Sequence, residues 1–174
     1  MRIAGAISLL VLIGAAAATA AELPLRKPGL WQVKTSVDNS NAQALVIQQC
    51  IDADTDQMLQ SSAGPFAPSA CPERDVKRSE NSTTIDSVCT VGGKTATAHS
   101  VVSGSFDSAY TMTVTSQSED LPGGKMTMTM EAKWLGSCKA DQKPGDIVMS
   151  NGVKINIPEI LKHSLSSGIP LPPK

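Results

Sequence analysis

The sequence predicts a mainly β protein: an antiparallel meander that forms a curled sheet or a barrel-like half-barrel, with one or two short helices. Apolar and polar residues alternate in several short segments, a period typical of half-buried strands. Stretches rich in Gly, Ser, Asn and Asp separate these segments, as turns do in antiparallel sheets. Aromatic residues make up 3% of the chain, so we expect a core of Val, Ile, Leu, Ala and Met.

The N-terminus has the order of a secretory signal peptide. Arg2 supplies a positive charge, an apolar run follows from Ile3 to about Ala18, and small residues continue to Ala20. Gly and Ala interrupt the run, which does not favour a transmembrane anchor, since an anchor needs about 20 apolar residues. We therefore expect a signal peptide at 1–20, cleavage after about Ala20, a periplasmic location and no stable membrane span afterwards.

The remainder is expected to form a β-rich domain at 21–138 and a C-terminal extension at 139–174. The formal net charge of the whole chain is −1, and no long basic cluster is present. Nucleic acids and anionic membranes attract concentrated positive charge. We therefore exclude nucleic acid from the predicted partners.

Seven strands and a helix are predicted in order along the domain. A polar turn separates the first two strands, and a short helix follows at 52–60, where acidic residues favour a helix start. An irregular loop is expected at 61–72. Beyond 139 the sequence is less regular, with a short helix after Pro158 and an extended Pro-rich tail. The predicted strands are 30–37, 44–50, 73–79, 83–91, 94–102, 109–117 and 125–134.

Four cysteines indicate disulfide bonds, because an exported chain enters an oxidising compartment. They are Cys50, Cys71, Cys89 and Cys138. Four cysteines allow three pairings, and the sequence does not decide among them. We favour Cys50–Cys71, which flank one excursion between strands, and Cys89–Cys138. In a simple seven-strand meander the second bond requires a return of the chain.

The segment "KMTMTMEAKW" at 125–134 places a methionine at every second position. A hairpin about Leu121 would set Met112 opposite Met130 and Val114 opposite Met128. One side of this hairpin then carries threonines, and the other carries Met112, Val114, Met126, Met128 and Met130. The first interpretation is a core face filled by adaptable side chains. A wall for an apolar ligand and a Cu(I) site are the alternatives, but no His or Cys joins the thioethers, so we predict no metal.

No catalytic residue can be identified from the sequence. Asp52, Asp54 and Asp56 have the spacing of calcium-loop ligands, but Gln57 stands where such a loop needs Gly. A helix start explains these aspartates better. His99 and His163 lack partners at a recognised catalytic or metal-binding spacing.

Several segments resemble one family in the same order. They are "KPGLWQVKTSV", a strand ending in Cys50, "RDVKRSENSTTIDSVC", "TMTV" and "MTMTMEAKWLGSC". Together they resemble a family of small exported proteobacterial proteins known as domain of unknown function 3617, over about Pro28 to Cys138. Ser137 departs from the Asp that is usual in this family. The resemblance implies a secreted, β-rich, disulfide-bearing protein and implies no activity or cofactor.

Two function classes fit these observations. The first is a non-enzymatic periplasmic binder of a small apolar or amphipathic ligand on the methionine side of the sheet. The alternative is an envelope protein-interaction module with no ligand pocket, which presents an edge strand, the 61–72 loop or the Pro-rich tail to another protein. An enzyme is not favoured, and no cofactor is expected.

Overall fold

A computed structural model describes residues 23–62 and 71–166 of the chain. These residues form one antiparallel sheet of nine strands, with two α-helices. The predicted signal peptide at 1–20, most of the predicted loop at 61–72 and the Pro-rich end of the tail lie outside the described residues. The expectation of a mainly β, curled sheet is confirmed.

The strands agree closely with the alternating segments of the sequence. Helix α1 (Ala53–Ser62) occupies the predicted helical region, and helix α2 (Ile157–Ser166) begins beside Pro158. Neither described helix has the length and apolar character needed to cross a membrane. The nine strands are β1 Gly29–Val37, β2 Leu45–Ile51, β3 Glu73–Arg78, β4 Ser82–Val91, β5 Lys94–Ser105, β6 Ala109–Gln117, β7 Lys125–Gly136, β8 Asp146–Met149 and β9 Lys154–Asn156.

The order of the strands differs from that of a simple meander. From edge to edge the order is β3-β4-β5-β6-β7-β1-β2-β8-β9. Strands β3 to β7 form the predicted meander, but β1 then pairs with β7 on one side and with β2 on the other. Within the described ranges β3 and β9 are the two edges, so the sheet is open.

A close backbone approach fixes β1 beside β7. Gly29 has φ 131°, and a Cβ there would lie 2.3 Å from the carbonyl oxygen of Gly136, so this position requires glycine. The indole of Trp134 donates to the Pro28 carbonyl at 3.2 Å. The indole of Trp31 donates to the Lys27 carbonyl at 2.8 Å. The segment "KPGLW" therefore ties the start of β1 to the end of β7.

The disulfide pairing favoured from the sequence is wrong. The structure joins Cys50 to Cys138 and Cys71 to Cys89. The cause is the position of β1: Leu30 pairs with Cys50 on β2 and with Gly136 on β7. The ends of β2 and β7 therefore lie on either side of β1, and the Cys50–Cys138 disulfide crosses β1. The second bond instead holds the start of β3 close to β4.

Two further strands follow Cys138, where no strand was predicted. Strand β8 pairs with β2, and β9 pairs with β8. Asp146 is buried and accepts hydrogen bonds from the backbone of Lys143 at 3.0 Å and the side chain of Asn156 at 2.9 Å. Asn156 also accepts from the backbone NH of Glu159 at the start of α2. Residues 139–166 thus extend the same sheet.

The disulfides have different effects on stability because they close loops of different length. The bonded cysteines are 88 residues apart in the first pair and 18 residues apart in the second. Loop-closure entropy predicts that replacing both members of the first pair by alanine costs about 4.5 kcal/mol, against about 3 kcal/mol for the second. Urea unfolding of the two double variants measures this difference.

Peptide mapping of the unreduced protein provides the independent check of connectivity. It should recover Cys50 linked to Cys138 and Cys71 linked to Cys89. Peptides that link Cys50 to Cys71 would contradict the strand order itself, because in that order β2 and β7, which lead to Cys50 and Cys138, are both next to β1.

Candidate functional site

The β6–β7 hairpin has the register that the sequence predicted. Met112 pairs with Met130, and Val114 pairs with Met128. We call the side of β6 and β7 with Met112, Val114, Met126, Met128 and Met130 the methionine face. The opposite side, which carries Thr111, Thr113, Thr115, Thr127 and Thr129, is the threonine face. All five predicted apolar residues therefore lie together on one side of the sheet.

Neighbouring strands continue the methionine face on both sides. On β1, Val37 pairs with Met128 and Thr35 pairs with Met130. On β5, Val102 pairs with Met112 and Ser100 pairs with Val114. Because directly paired residues share a side of the sheet, Met128 has Val114 on one flank and Val37 on the other.

One end of the methionine face is covered. The buried cluster there consists of Trp31, Val33, Ile51, Val102, Tyr110 and Ala132. Leu23 from the N-terminal segment and Leu59 from α1 pack against this cluster, as does Phe106 from the turn after β5. The rings of Phe106 and Tyr110 stack with their centroids 4.6 Å apart. Met112 and Met130 also contact the cluster, so they belong partly to the core.

A buried ion pair lies at the covered end. Asp56 on α1 is fully buried, and Arg26 is 7% exposed. Arg26 donates to the carboxylate of Asp56 from its backbone NH at 2.7 Å and from its side-chain Nε at 2.8 Å. Its Nη1 donates to the side chain of Gln49 at 2.7 Å. Several charge-assisted hydrogen bonds therefore compensate the desolvation of both charges.

The same pair affects the only tyrosine of the chain. Burial raises the pKa of Tyr110 above its ordinary value, the charge of Asp56 acts in the same direction, and Arg26 opposes both. An unfolded chain would release the phenol proton near pH 10. Since the folded chain retains it longer, the free energy of unfolding decreases as the pH rises above about 10.

The other end of the methionine face is less covered. Met126 and Met128 are half-buried and are not among the residues that contact the buried cluster. Val37, which pairs with Met128, is 37% exposed, and Leu45 at the same end of β2 is 53% exposed. We call this region, where β1 ends and β2 and β7 begin, the open end. An apolar surface of flexible thioethers is therefore partly accessible to water there.

The threonine face has a different chemistry. It carries threonine hydroxyl groups, and the side-chain Oγ1 atoms of Thr115 and Thr127 are 3.4 Å apart. His99 Nδ1 lies 2.6 Å from an oxygen of Asp86, and both side chains are about half exposed. A shallow groove of about 440 Å³ runs past this pair, between the charged residues of β3 and Thr115 on β6. His99 pairs with Thr115, so it lies on the threonine side of its strand.

The three aspartates of the 52–56 segment have separate roles. Asp52 caps α1, because its Oδ1 accepts a hydrogen bond from the backbone NH of Thr55 at 2.9 Å. Hydrogen bonds from the side chain and backbone of Thr55 lower the pKa of Asp52. Asp54 is exposed, whereas Asp56 points into the core. The helix-start interpretation is confirmed, and no group of three His, Cys, Asp or Glu within 23–62 and 71–166 is placed to hold a metal ion.

Sequence reasoning missed the Arg26–Asp56 pair. Asp56 and Leu59 are three residues apart in α1, so they lie on neighbouring positions of one helix face. That spacing, together with the arginine directly before "KPGLW", was the available signal. It could not identify the pair, because the two residues are 30 positions apart in the chain.

Comparison with known proteins gives one match. Residues 26–138 match the model of a family described as a protein of unknown function, DUF3617. This range begins at the buried Arg26 and ends at the disulfide-bonded Cys138, and it covers more than half of the chain. No curated protein and no solved structure matches the chain.

The buried ion pair generates a stability prediction. Asp56→Ala leaves Arg26 buried without its partner and should cost about 3–5 kcal/mol in the free energy of unfolding. Glu131→Ala is the matched control, because Glu131 pairs with Lys34 at the surface, where both are at least half exposed. An exposed pair contributes about 0–1 kcal/mol. Urea unfolding with intact disulfides measures both values.

A double variant separates the loss of the pair from the loss of packing. Replacing both partners, as in Arg26→Met with Asp56→Leu, removes the uncompensated charge and should restore part of the stability. Equal losses for Asp56→Ala and Glu131→Ala would show that the pair does not hold α1 and the N-terminal segment on the sheet.

Proposed function

Since the chain belongs to the DUF3617 family of proteins of unknown function, we propose a function from its geometry: a non-enzymatic binder of a small apolar or amphipathic molecule. The molecule would lie on the methionine face at the open end. The observation that carries this proposal is the partial exposure of Met126 and Met128 beside the exposed Val37, with the exposed Leu45 at the same end of β2. An accessible apolar surface of this kind supports binding of an apolar group.

The side chains of the open end suit an adaptable site. Methionine is unbranched and has three rotatable bonds, so it can follow ligands of different shape. The residues that flank Met128, Val114 and Val37, are apolar. The covered end, with its buried cluster and the Arg26–Asp56 pair, provides a rigid base for this surface. Such a face selects for apolar area more than for a particular functional group.

We also propose that the protein is located in the periplasm. Residues 1–20 would act as the signal peptide, residues 21–138 would form the ligand-binding domain, and residues 139–174 would form an extension of it. Two disulfides support an oxidising compartment. An exported apolar-ligand binder would act between the membranes of the envelope.

An envelope protein-interaction module is the alternative. Met149, Val153 and Ile160 in β8, in the turn after it and in α2 are between 36% and 48% exposed, and such residues suit contact with another protein. Edge strand β3 favours it less, because its exposed charged residues discourage pairing with a second strand. They are Glu73, Arg74, Asp75, Lys77 and Arg78. Native mass spectrometry of the protein from its own periplasm distinguishes a bound small molecule from a bound protein.

Export generates the first prediction of this proposal. The mature protein from the periplasmic fraction should begin at Ala21, and N-terminal sequencing measures this. Ala18→Asp with Ala20→Asp should block cleavage, because signal peptidase requires small residues at these positions. Thr19→Ser is the control and should leave processing unchanged. A mature protein that retains residues 1–20 in the wild type would contradict the prediction.

Ligand binding generates the second prediction, with N-phenyl-1-naphthylamine as an uncharged fluorescent probe. Met128→Lys should weaken its binding by about tenfold or more, or ~1.4 kcal/mol, because an ammonium group interrupts the apolar face. Thr129→Lys is the matched control: it places the same charge on the threonine face of the same strand. The control should change the dissociation constant by less than about twofold.

Circular dichroism must first confirm that both variants retain the β-sheet spectrum of the wild type. Equal effects of the two lysines would then contradict a site on the methionine face. Absence of probe binding by the folded wild type would contradict the proposed function itself.

A further inference from the structure

The methionine face is made largely of apolar side chains that mild oxidants convert into polar ones. Leucine or isoleucine would fill the same positions of a strand without this reactivity. We propose that Met126 and Met128 form an oxidation site, and that a sulfoxide at Met128 weakens ligand binding at the open end. The regulatory part of this inference rests on the proposed function, whereas the oxidation site does not.

The chemistry requires only a peroxide. A lone pair of the thioether sulfur attacks one oxygen of hydrogen peroxide, the O–O bond breaks, and water leaves after proton transfer. The sulfur is oxidised by two electrons to the sulfoxide, and the peroxide is reduced. No metal, cofactor or thiol takes part in this step.

The structure predicts an order of reaction among the methionines. Met149 is 36% exposed on β8 and serves as a surface reference. All four methionines of β6 and β7 are half-buried, but Met126 and Met128 are not among the residues that pack against the buried cluster. Met112 and Met130 are packed against the buried cluster with Trp31 and Tyr110, so that cluster shields them. Met126 and Met128 should therefore react after Met149 and before Met112 and Met130.

The strand register identifies the residue whose oxidation has the largest effect. A sulfoxide oxygen is a strong hydrogen-bond acceptor, and burying it without a donor is unfavourable. Met126 has the hydroxyl of Ser116 opposite, and Met130 has that of Thr35. Met128 lies between Val114 and Val37, which have no side-chain donor. An apolar ligand would therefore be bound less tightly when Met128 is oxidised.

The experiment treats the folded, disulfide-bonded protein with increasing hydrogen peroxide. Peptide mass mapping gives the fraction of sulfoxide at each methionine, and titration with N-phenyl-1-naphthylamine gives the dissociation constant before and after treatment. We expect sulfoxide at Met126 and Met128 while Met112 and Met130 remain intact, and an affinity reduced by about tenfold at full oxidation of Met128.

Two leucine variants assign the effect. In Met128→Leu the ratio of the dissociation constants after and before treatment should fall to within about twofold of one. Met149→Leu is the control, because β1 and β2 separate β8 from β7, and its ratio should equal that of the wild type. A ratio in Met128→Leu as large as in the wild type would overturn the assignment to Met128.

The remaining outcomes separate the two proposals. Simultaneous oxidation of all four methionines on β6 and β7 would overturn the oxidation site, whether or not the probe binds. Sulfoxide at Met128 with unchanged affinity would overturn only the proposal that oxidation regulates binding. If the untreated wild type does not bind the probe, the proposed function fails, and the proposed regulation of binding by oxidation fails with it. The order of sulfoxide formation then still confirms or refutes the site.

Discussion

The close approach of β1 to β7 is the constraint on which the rest of this structure depends. Gly29 faces the Gly136 carbonyl at a distance that leaves no space for a side chain, and the two indoles bond to the backbone just before it. This contact inserts β1 between β2 and β7 and so brings Cys50 to Cys138. It also places Val37 beside Met128. Because of this approach, the methionine face continues from β7 onto β1.

The elements that could be predicted are those that depend on local sequence. Period-two alternation and Gly-rich turns are sufficient to define strands and hairpins, and the register of β6 with β7 follows from one turn. The pairing of β1 with β7 joins residues about 100 positions apart, and no local pattern specifies it. The wrong disulfide pairing followed from that missing contact. Strands β8 and β9 have four and three residues, too few for alternation to be recognised.

The candidate site was predictable in part for the same reason. The five residues of the methionine face lie within one hairpin, so alternation alone places them together. The buried polar group at the covered end was not predictable, since its members Arg26, Gln49 and Asp56 come from three separate segments. A buried ion pair contributes little net stability compared with apolar packing, but it tolerates few alternative arrangements. Its effect here is to hold the N-terminal segment and α1 in one position on the sheet.

The two ends of the methionine face differ in their contribution to folding. At the covered end, apolar area is removed from water by this chain itself, and Met112 and Met130 contribute to stability. At the open end the same residue type remains partly hydrated, so part of its stabilising potential is not used. A ligand that removed about 100 Å² of that surface from water would gain about 2.5 kcal/mol before the cost of association. Because Val37 on β1 is 37% exposed beside Met128, whereas Val114 on its other flank is buried, such a ligand would contact β7 together with β1. Binding would therefore also stabilise the pairing of β1 with β7, since any molecule that binds only the folded state raises the free energy of unfolding.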